Sequence, residues 1–224
     1  MLRLLVFDLD GTLVDSHRDL AAATNALLAE LGRPPLPSDA VTTMIGDGAA
    51  VLVRRALTQA GLDPDTPGAL DRFLAHYDEQ LLATTVPYDG MVATLDRLHG
   101  NYRLAVLTNK PTKATTRVLS GLGLADRFDS VIGGDTDYGR KPNPAGMLAL
   151  VANAGVDPEE ALLVGDSPID LATARRAGVR ICLARYGFGF RGFRLGAGDF
   201  DGREVFIDTP SELVDAVARL NLTN

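Results

Sequence analysis

The sequence has one cysteine, no tryptophan and three histidines. Cys182 alone excludes an internal disulfide and any cysteine-based metal cluster, and it fits a reducing compartment. His17, His76 and His99 are scattered without the paired spacing of a histidine metal centre, and none is assigned a catalytic role. No apolar run approaches the roughly 18 residues that a membrane-spanning helix requires. The chain passes from Met-Leu-Arg straight into a strand-like stretch, without the basic start, apolar run and small-residue cleavage site of a secretory signal. The expectation is a cytoplasmic protein. Excess positive charge is also lacking. The net charge of -7 opposes non-specific binding to nucleic acid or to an anionic membrane. An anionic substrate must therefore be met locally, by a few placed donors or a metal. With 46% hydrophobic residues and no low-complexity tract, the chain is not disordered as a whole. Its 224 residues can hold one large domain, or a core with a smaller domain attached.

LRLLVFDL, residues 2–9, has the continuous apolar character of a strand buried on both faces in a parallel sheet. Residues 16–85 then read as almost wholly helical. Ser16 and Asp19 are spaced as a capping box, and Leu20, Ala23, Leu27 and Leu31 recur at helical spacing before Gly32. Pro34, Pro35 and Pro37 forbid an uninterrupted helix. AAVLVRRALTQAG and ALDRFLAHYDEQLLA supply two more helices, the second with an apolar stripe of Leu70, Phe73, Leu74, Tyr77 and Leu81. From VPYDG at 86–90 onward, strand and helix patterns alternate, which argues for a parallel sheet with helices on both sides. The expected fold is α/β: a Rossmann-like parallel-sheet core from residues 1–15 and 86–224, with a small helical domain, residues 16–85, inserted early. The insertion is required because a strand crossover needs far fewer residues. RYGFGFRGFRLGAGDFDGR at 185–203 follows neither period. It reads as a loop that can include a short hairpin, either lining the substrate entrance or serving structure alone.

Polar residues fall where strands end. The first strand delivers Asp8 and Asp10, another Thr108 and Asn109, and a third Gly165, Asp166 and Ser167. In open parallel sheets ligands bind outside the carboxyl ends of the strands, so these segments converge. Each acid taken singly can be a cap or turn former, and Lys141 in GRKPNP can be a solvated surface residue. Together they describe a site. Asp8 and Asp10 lie two apart and repel unless something positive lies between them, and Asp166 raises that cost. A hard divalent cation resolves the conflict, with magnesium the natural choice. Lys141 can hold the nucleophile and neutralise transferring oxygens, and Thr108 and Asn109 can donate to the same oxygens. The resulting chemistry is phosphoryl transfer through a carboxylate. Asp8 forms an aspartyl phosphate, Mg²⁺ offsets anion repulsion, and Asp10 protonates the leaving oxygen and then activates water.

DLDGT at 8–12, TN at 108–109, Lys141 and GDSPID at 165–170 resemble the four motifs of the haloacid dehalogenase superfamily of aspartate-nucleophile phosphohydrolases, across nearly the whole chain. The resemblance implies that Asp8 is nucleophile and metal ligand. Asp10 would be the acid and base that also lends Mg²⁺ its backbone carbonyl, with Thr12 in support. Thr108 would bind phosphate with Asn109 beside it, and Lys141 would steady nucleophile and phosphate. Asp166 would ligate the metal, Asp170 would act through water or by orienting Lys141, and Ser167 would support. The helical insertion is similar to the family's small cap, which selects the leaving group. MIGDGAAVLVRRAL at 44–57 resembles the cap stretch of phosphoglycolate phosphatases. There Gly46 and Gly48 can bring backbone amides to a small carboxylate, and Arg54 or Arg55 can supply charge or lie on a solvated face. The family's dehalogenases lack the second aspartate of the first motif. Its phosphonatases carry a cap lysine, and residues 16–85 contain none. The implied activity is Mg²⁺-dependent hydrolysis of 2-phosphoglycolate to glycolate and phosphate. The alternatives are another small phosphomonoester, pyrophosphate, a sugar phosphate mutase, or a phosphate-binding regulatory protein without turnover. The implied partner is a small phosphorylated metabolite, bound by a monomer or homodimer.

Overall fold

A computed structural model describes residues 1–193 and 200–222. The chain begins with β1 (Leu4–Phe7) and the short β2 (Val14–Asp15). Four helices follow: α1 (His17–Glu30), α2 (Ser38–Thr42), α3 (Ala49–Gln59) and α4 (Ala69–Gln80). Then come β3 (Val86–Pro87), α5 (Met91–Leu98), β4 (Arg103–Leu107), α6 (Thr112–Gly121) and β5 (Ser130–Ile132). The remainder is α7 (Ala145–Ala154), β6 (Ala161–Gly165), α8 (Pro168–Ala177), β7 (Arg180–Ala184), β8 (Val205–Ile207) and α9 (Glu212–Leu222).

β1 is the centre of the molecule because it has no polar side chain to give to water. It pairs in parallel with β4 on one side and β6 on the other, in a six-stranded sheet ordered β5-β4-β1-β6-β7-β8. All its neighbouring pairs are parallel. Alternate side chains enter opposite layers. Leu5 and Phe7 pack with the Met91, Leu95 and Leu98 stripe of α5 and with Leu213 and Val217 of α9. Leu4 and Val6 pack with Met147 and Leu150 of α7 and with Leu171 and Ala174 of α8. Both faces of the sheet are thus covered, as an all-parallel sheet requires. Because β1 lies between β4 and β6, the strand order reverses there, and the carboxyl end of β1 opens onto the switch-point crevice.

The helical insertion leaves and re-enters the core beside itself. β2 and β3 pair antiparallel, Val14 opposite Pro87 and Asp15 opposite Val86. α1 packs along α4, burying Leu20, Ala23 and Leu27 with Phe73 and Tyr77. The expected capping box of Ser16 and Asp19 does not form, and α1 has no side-chain cap. Both side chains are engaged elsewhere: Ser16 Oγ donates to Asp10 Oδ1 at 2.5 Å, and Asp19 accepts from the amides and hydroxyls of Thr84 and Thr85. The prolines do end regular structure after α1, but Pro37 caps a further short helix, α2. In the 185–203 stretch, Phe188–Gly192 forms a 3₁₀ turn, and residues 194–199 lie outside the described residues. Among the described residues no helix is long and apolar enough to cross a membrane.

Candidate active site

Asp8 is the first residue past β1, and its amide still donates to Val164 of β6 at 2.9 Å, so the sheet holds it. The chain then turns. The carbonyl of Leu9 accepts from the amides of Thr12, Leu13 and Val14, and Gly11 takes a φ of 93°. A Cβ at Gly11 would overlap the Asp166 carboxylate, so only glycine brings this turn against the end of β6.

The end of β6 and the loop before α7 complete one pole of the site. Asp166 follows β6, with Thr12 Oγ1 3.3 Å from Oδ1 and the Gly189 amide donating to Oδ2 at 2.7 Å. Lys141 reaches in from the loop before α7, its Nζ 2.8 Å from Asp8 Oδ1 and 2.6 Å from Asp170 Oδ1. The second oxygen of Asp170 accepts from the Ser167 amide at 3.1 Å and hydroxyl at 2.6 Å, in a capping box that starts α8. One residue therefore caps a helix and fixes the lysine.

Burial pushes the Asp8 carboxyl up to about 6; Lys141 opposes the rise, and Asp170 and Asp10 add to it. Burial, together with Asp170 and Asp8, also holds Asp166 well above the usual carboxylate range. Burial would lower Lys141, but the two carboxylates outweigh it and raise it.

Carboxylate oxygens of Asp8, Asp166 and Asp170 lie within 4.8 Å of one another. Around the crevice four buried or half-buried acids, Asp8, Asp10, Asp166 and Asp170, face two ammonium groups, Lys110 and Lys141. The uncompensated charge is that of one divalent cation, and an all-oxygen donor set suits a hard ion. Asp8 and Asp166 have coordination to spare for it. Asp166 accepts one protein donor on each oxygen, from Thr12 and from Gly189, whereas Asp170 accepts three, the Lys141 ammonium on one oxygen and the Ser167 amide and hydroxyl on the other.

The other pole lies between Asp10 and the helical insertion. Asp10 accepts from Lys110 Nζ at 2.8 Å on each oxygen and from Ser16. Lys110 did not stand out in the sequence; its signal is its place directly after the strand-end Thr108-Asn109. Thr108 is fixed by its amide to Ile132 at 3.0 Å, and Thr108 Oγ1 accepts from the Lys110 amide at 3.2 Å, leaving the hydroxyl proton to donate. Asn109 Nδ2 donates to the carbonyls of Gly46 at 3.0 Å and Lys141 at 3.1 Å, tying the insertion to the core. A cavity of about 50 Å³ lies here, lined by Asp8, Asp10, Thr108, Asn109 and Lys110 from the core and by Gly46, Phe73 and Tyr77 from the insertion.

Arg55 lines a different cavity, of about 300 Å³, with Ser167, Ile169, Phe188 and Arg191. It pairs with Asp47 at 2.6 Å and donates to the Met44 carbonyl. Arg54 pairs with Asp65 on the exposed side. The loop after β7, expected either at the entrance or as scaffold, stands against the acids. Gly187 and Gly189 approach Asp166 so closely that a Cβ would collide, and the Tyr186 hydroxyl donates to the Thr12 carbonyl at 3.0 Å.

A buried carboxylate at the switch point, a lysine bridging two acids and a cluster of carboxylate oxygens able to hold a cation suit phosphoryl transfer. Comparison with known proteins agrees. Residues 5–184 match the family model of haloacid dehalogenase-like hydrolases. The phosphoglycolate phosphatase of Rhodospirillum rubrum is 46% identical over 196 residues, covering 84% of this chain and 81% of that protein. Phosphoglycolate phosphatase 1 of Pseudomonas aeruginosa is 41% identical over 219 residues, covering 95% and 76%. The crystal structure of a predicted phosphoglycolate phosphatase from Haemophilus somnus superposes with a TM-score of 0.86 at 32% identity, covering 96% of this chain and 98% of that one. With the family's sheet, inserted cap and acid cluster all in place, the chain belongs to the haloacid dehalogenase-like hydrolases, as an enzyme that hydrolyses phosphoric monoesters.

Proposed function

We propose that the enzyme hydrolyses 2-phosphoglycolate to glycolate and phosphate, with Mg²⁺ as cofactor, in the cytoplasm. The observation that carries the reading is the pairing of Asp8, buried and held by Lys141, with Asp10 beside it in the lining of the cavity between core and insertion. The similarity to proteins named phosphoglycolate phosphatase supports the same substrate.

Asp8 attacks phosphorus in line, and the bond from phosphorus to the bridging oxygen breaks. Asp10 gives that oxygen its proton, so glycolate leaves as a neutral alcohol at that end. Asp10 then takes a proton from water as the water attacks the aspartyl phosphate, which releases phosphate and restores Asp8. Lys141 and Thr108 donate to the transferring oxygens. Asp170 and Ser167 keep Lys141 in place, and Thr12 and Gly189 steady Asp166. Asp8, Asp166 and the backbone carbonyl of Asp10 would hold Mg²⁺, which supplies positive charge against the repulsion between nucleophile and phosphate. Gly46 lines the leaving-group side.

The test is a panel of 2-phosphoglycolate, pyrophosphate, phosphoserine, nucleotide and sugar phosphates, assayed for phosphate release with Mg²⁺ and with chelator. The reading expects release only with Mg²⁺, and a preference in kcat/KM for 2-phosphoglycolate of at least about tenfold, or about 1.4 kcal/mol. A smaller preference overturns the substrate.

A further inference from the structure

We infer that Lys110 is the specificity-determining residue that binds the carboxylate of the leaving group, an inference that rests on the phosphoglycolate reading. Among the described residues lining the cavity between core and insertion, Lys110 is the one cation, and two of the other polar ones, Asp8 and Asp10, are acids. The rest of the wall is largely apolar, from Leu20, Ile45, Leu52, Phe73 and Tyr77. Thr108, Asn109 and the Tyr77 hydroxyl are the neutral polar groups of this wall, and an anionic leaving group finds its counter-charge in Lys110.

The placement of Lys110 matches the chemistry of this substrate. Its side chain is 4% exposed, and an ammonium taken out of water to that degree is costly unless paired. Asp10 supplies that pairing, on both oxygens at 2.8 Å, and the face of the Tyr77 ring lies 4.6 Å from Nζ. Asp10 must reach the bridging oxygen to protonate it. In 2-phosphoglycolate a single methylene separates that oxygen from the carboxylate, so a group in contact with Asp10 is in reach of the carboxylate too. An ammonium has three donors and Asp10 engages it through two oxygens, leaving capacity for a further acceptor. The Tyr77 hydroxyl is buried on the same wall beside Lys110, with no described group at hydrogen-bond geometry to it, and it gives the second carboxylate oxygen a donor. Arg55, the cation expected from the cap sequence, lines the other cavity.

The experiment compares kcat/KM for 2-phosphoglycolate with that for ethyl phosphate, which keeps the phosphate and a two-carbon leaving group but has no carboxylate. Wild-type, Lys110→Met and Lys110→Arg proteins are assayed, with Lys110→Gln as a second neutral variant that still donates to Asp10 should Lys110→Met not fold. The neutral variants should lower the preference for 2-phosphoglycolate at least about thirtyfold, mainly through KM, and Lys110→Arg should keep part of it. Inhibition by added glycolate should weaken in the neutral variants while inhibition by inorganic phosphate persists. An equal fall for both substrates, with glycolate inhibition intact, overturns the assignment and confines Lys110 to holding Asp10. A wild type without preference for 2-phosphoglycolate overturns instead the substrate reading beneath it.

Discussion

The amide of Gly189 donates to Asp166 Oδ2 at 2.7 Å, so the loop after β7 holds the acid that ends β6. A Cβ on Gly189 would sit 2.8 Å from that oxygen and 3.2 Å from the Ser167 Cβ. Gly189→Ala should therefore turn Asp166 away from Asp8. Groups that orient a metal ligand commonly matter by tenfold or more in affinity. The expected result is a Mg²⁺ half-saturation raised about tenfold in a titration of phosphate release, with most activity regained at excess Mg²⁺. Unchanged Mg²⁺ dependence would detach the loop from the site.

Lys141 bridges Asp8 and Asp170 from a nearly fully buried position. Lys141→Met leaves two buried carboxylates without their shared cation, which typically costs about 3–5 kcal/mol. Activity should fall at least about a hundredfold through the lost donor to the transferring oxygens. Arginine should not restore it, because a planar fork cannot replace one nitrogen shared by two oxygens. Urea unfolding and phosphate release check both parts; a variant as stable as wild type contradicts the bridge.

Metal-free protein should lose stability as pH rises from about 4 to about 6. Asp8 titrates at about 6 when folded against 3.8 as the ordinary value, so in that window the folded state binds more protons than the unfolded one. Asp8 alone contributes on the order of 3 kcal/mol, and Asp166 acts in the same direction. Burial is the main cause in both and the neighbouring acids add to it; a bound divalent cation offsets both effects, so the rise in Tm on adding Mg²⁺ should be larger at pH 7 than at pH 5. Thermal melts at the two pH values, with and without Mg²⁺, measure it, and an equal rise at both would contradict the shared cause.

Asp19 ties the start of α1 to Thr84 and Thr85, where the insertion returns toward the core. Those bonds hold its carboxyl below the ordinary range against the opposing effect of burial. Asp19→Ala should lower unfolding free energy by about 2–3 kcal/mol, since it strands amide and hydroxyl groups of two threonines. Urea midpoints test this; a loss below about 0.5 kcal/mol would contradict it.

What the sequence made legible was whatever depends on period and on strand ends. LLVF could only be a doubly buried strand, and its acids could only emerge at the crevice. The misreadings come from partners distant in sequence. Ser16 and Asp19 satisfy the local capping rule, yet tertiary partners engage both. α2 spans five residues, too short for a period to show beside three prolines. Lys110 is one lysine after a strand until α4 brings Tyr77 to it and the turn after β1 brings Asp10. Gly187 and Gly189 matter through side chains they do not have, which becomes visible only when Asp166 stands against both and Gly11 against Gly187.

The central claim is that Asp8 accepts the phosphoryl group. Phosphate release from 2-phosphoglycolate with saturating Mg²⁺ by Asp8→Asn, beside wild type of matched fold by circular dichroism, tests it most directly. The account predicts a fall to background, at least about 10⁴-fold, because an amide is not a nucleophile for phosphorus. Release within about tenfold of wild type would contradict it.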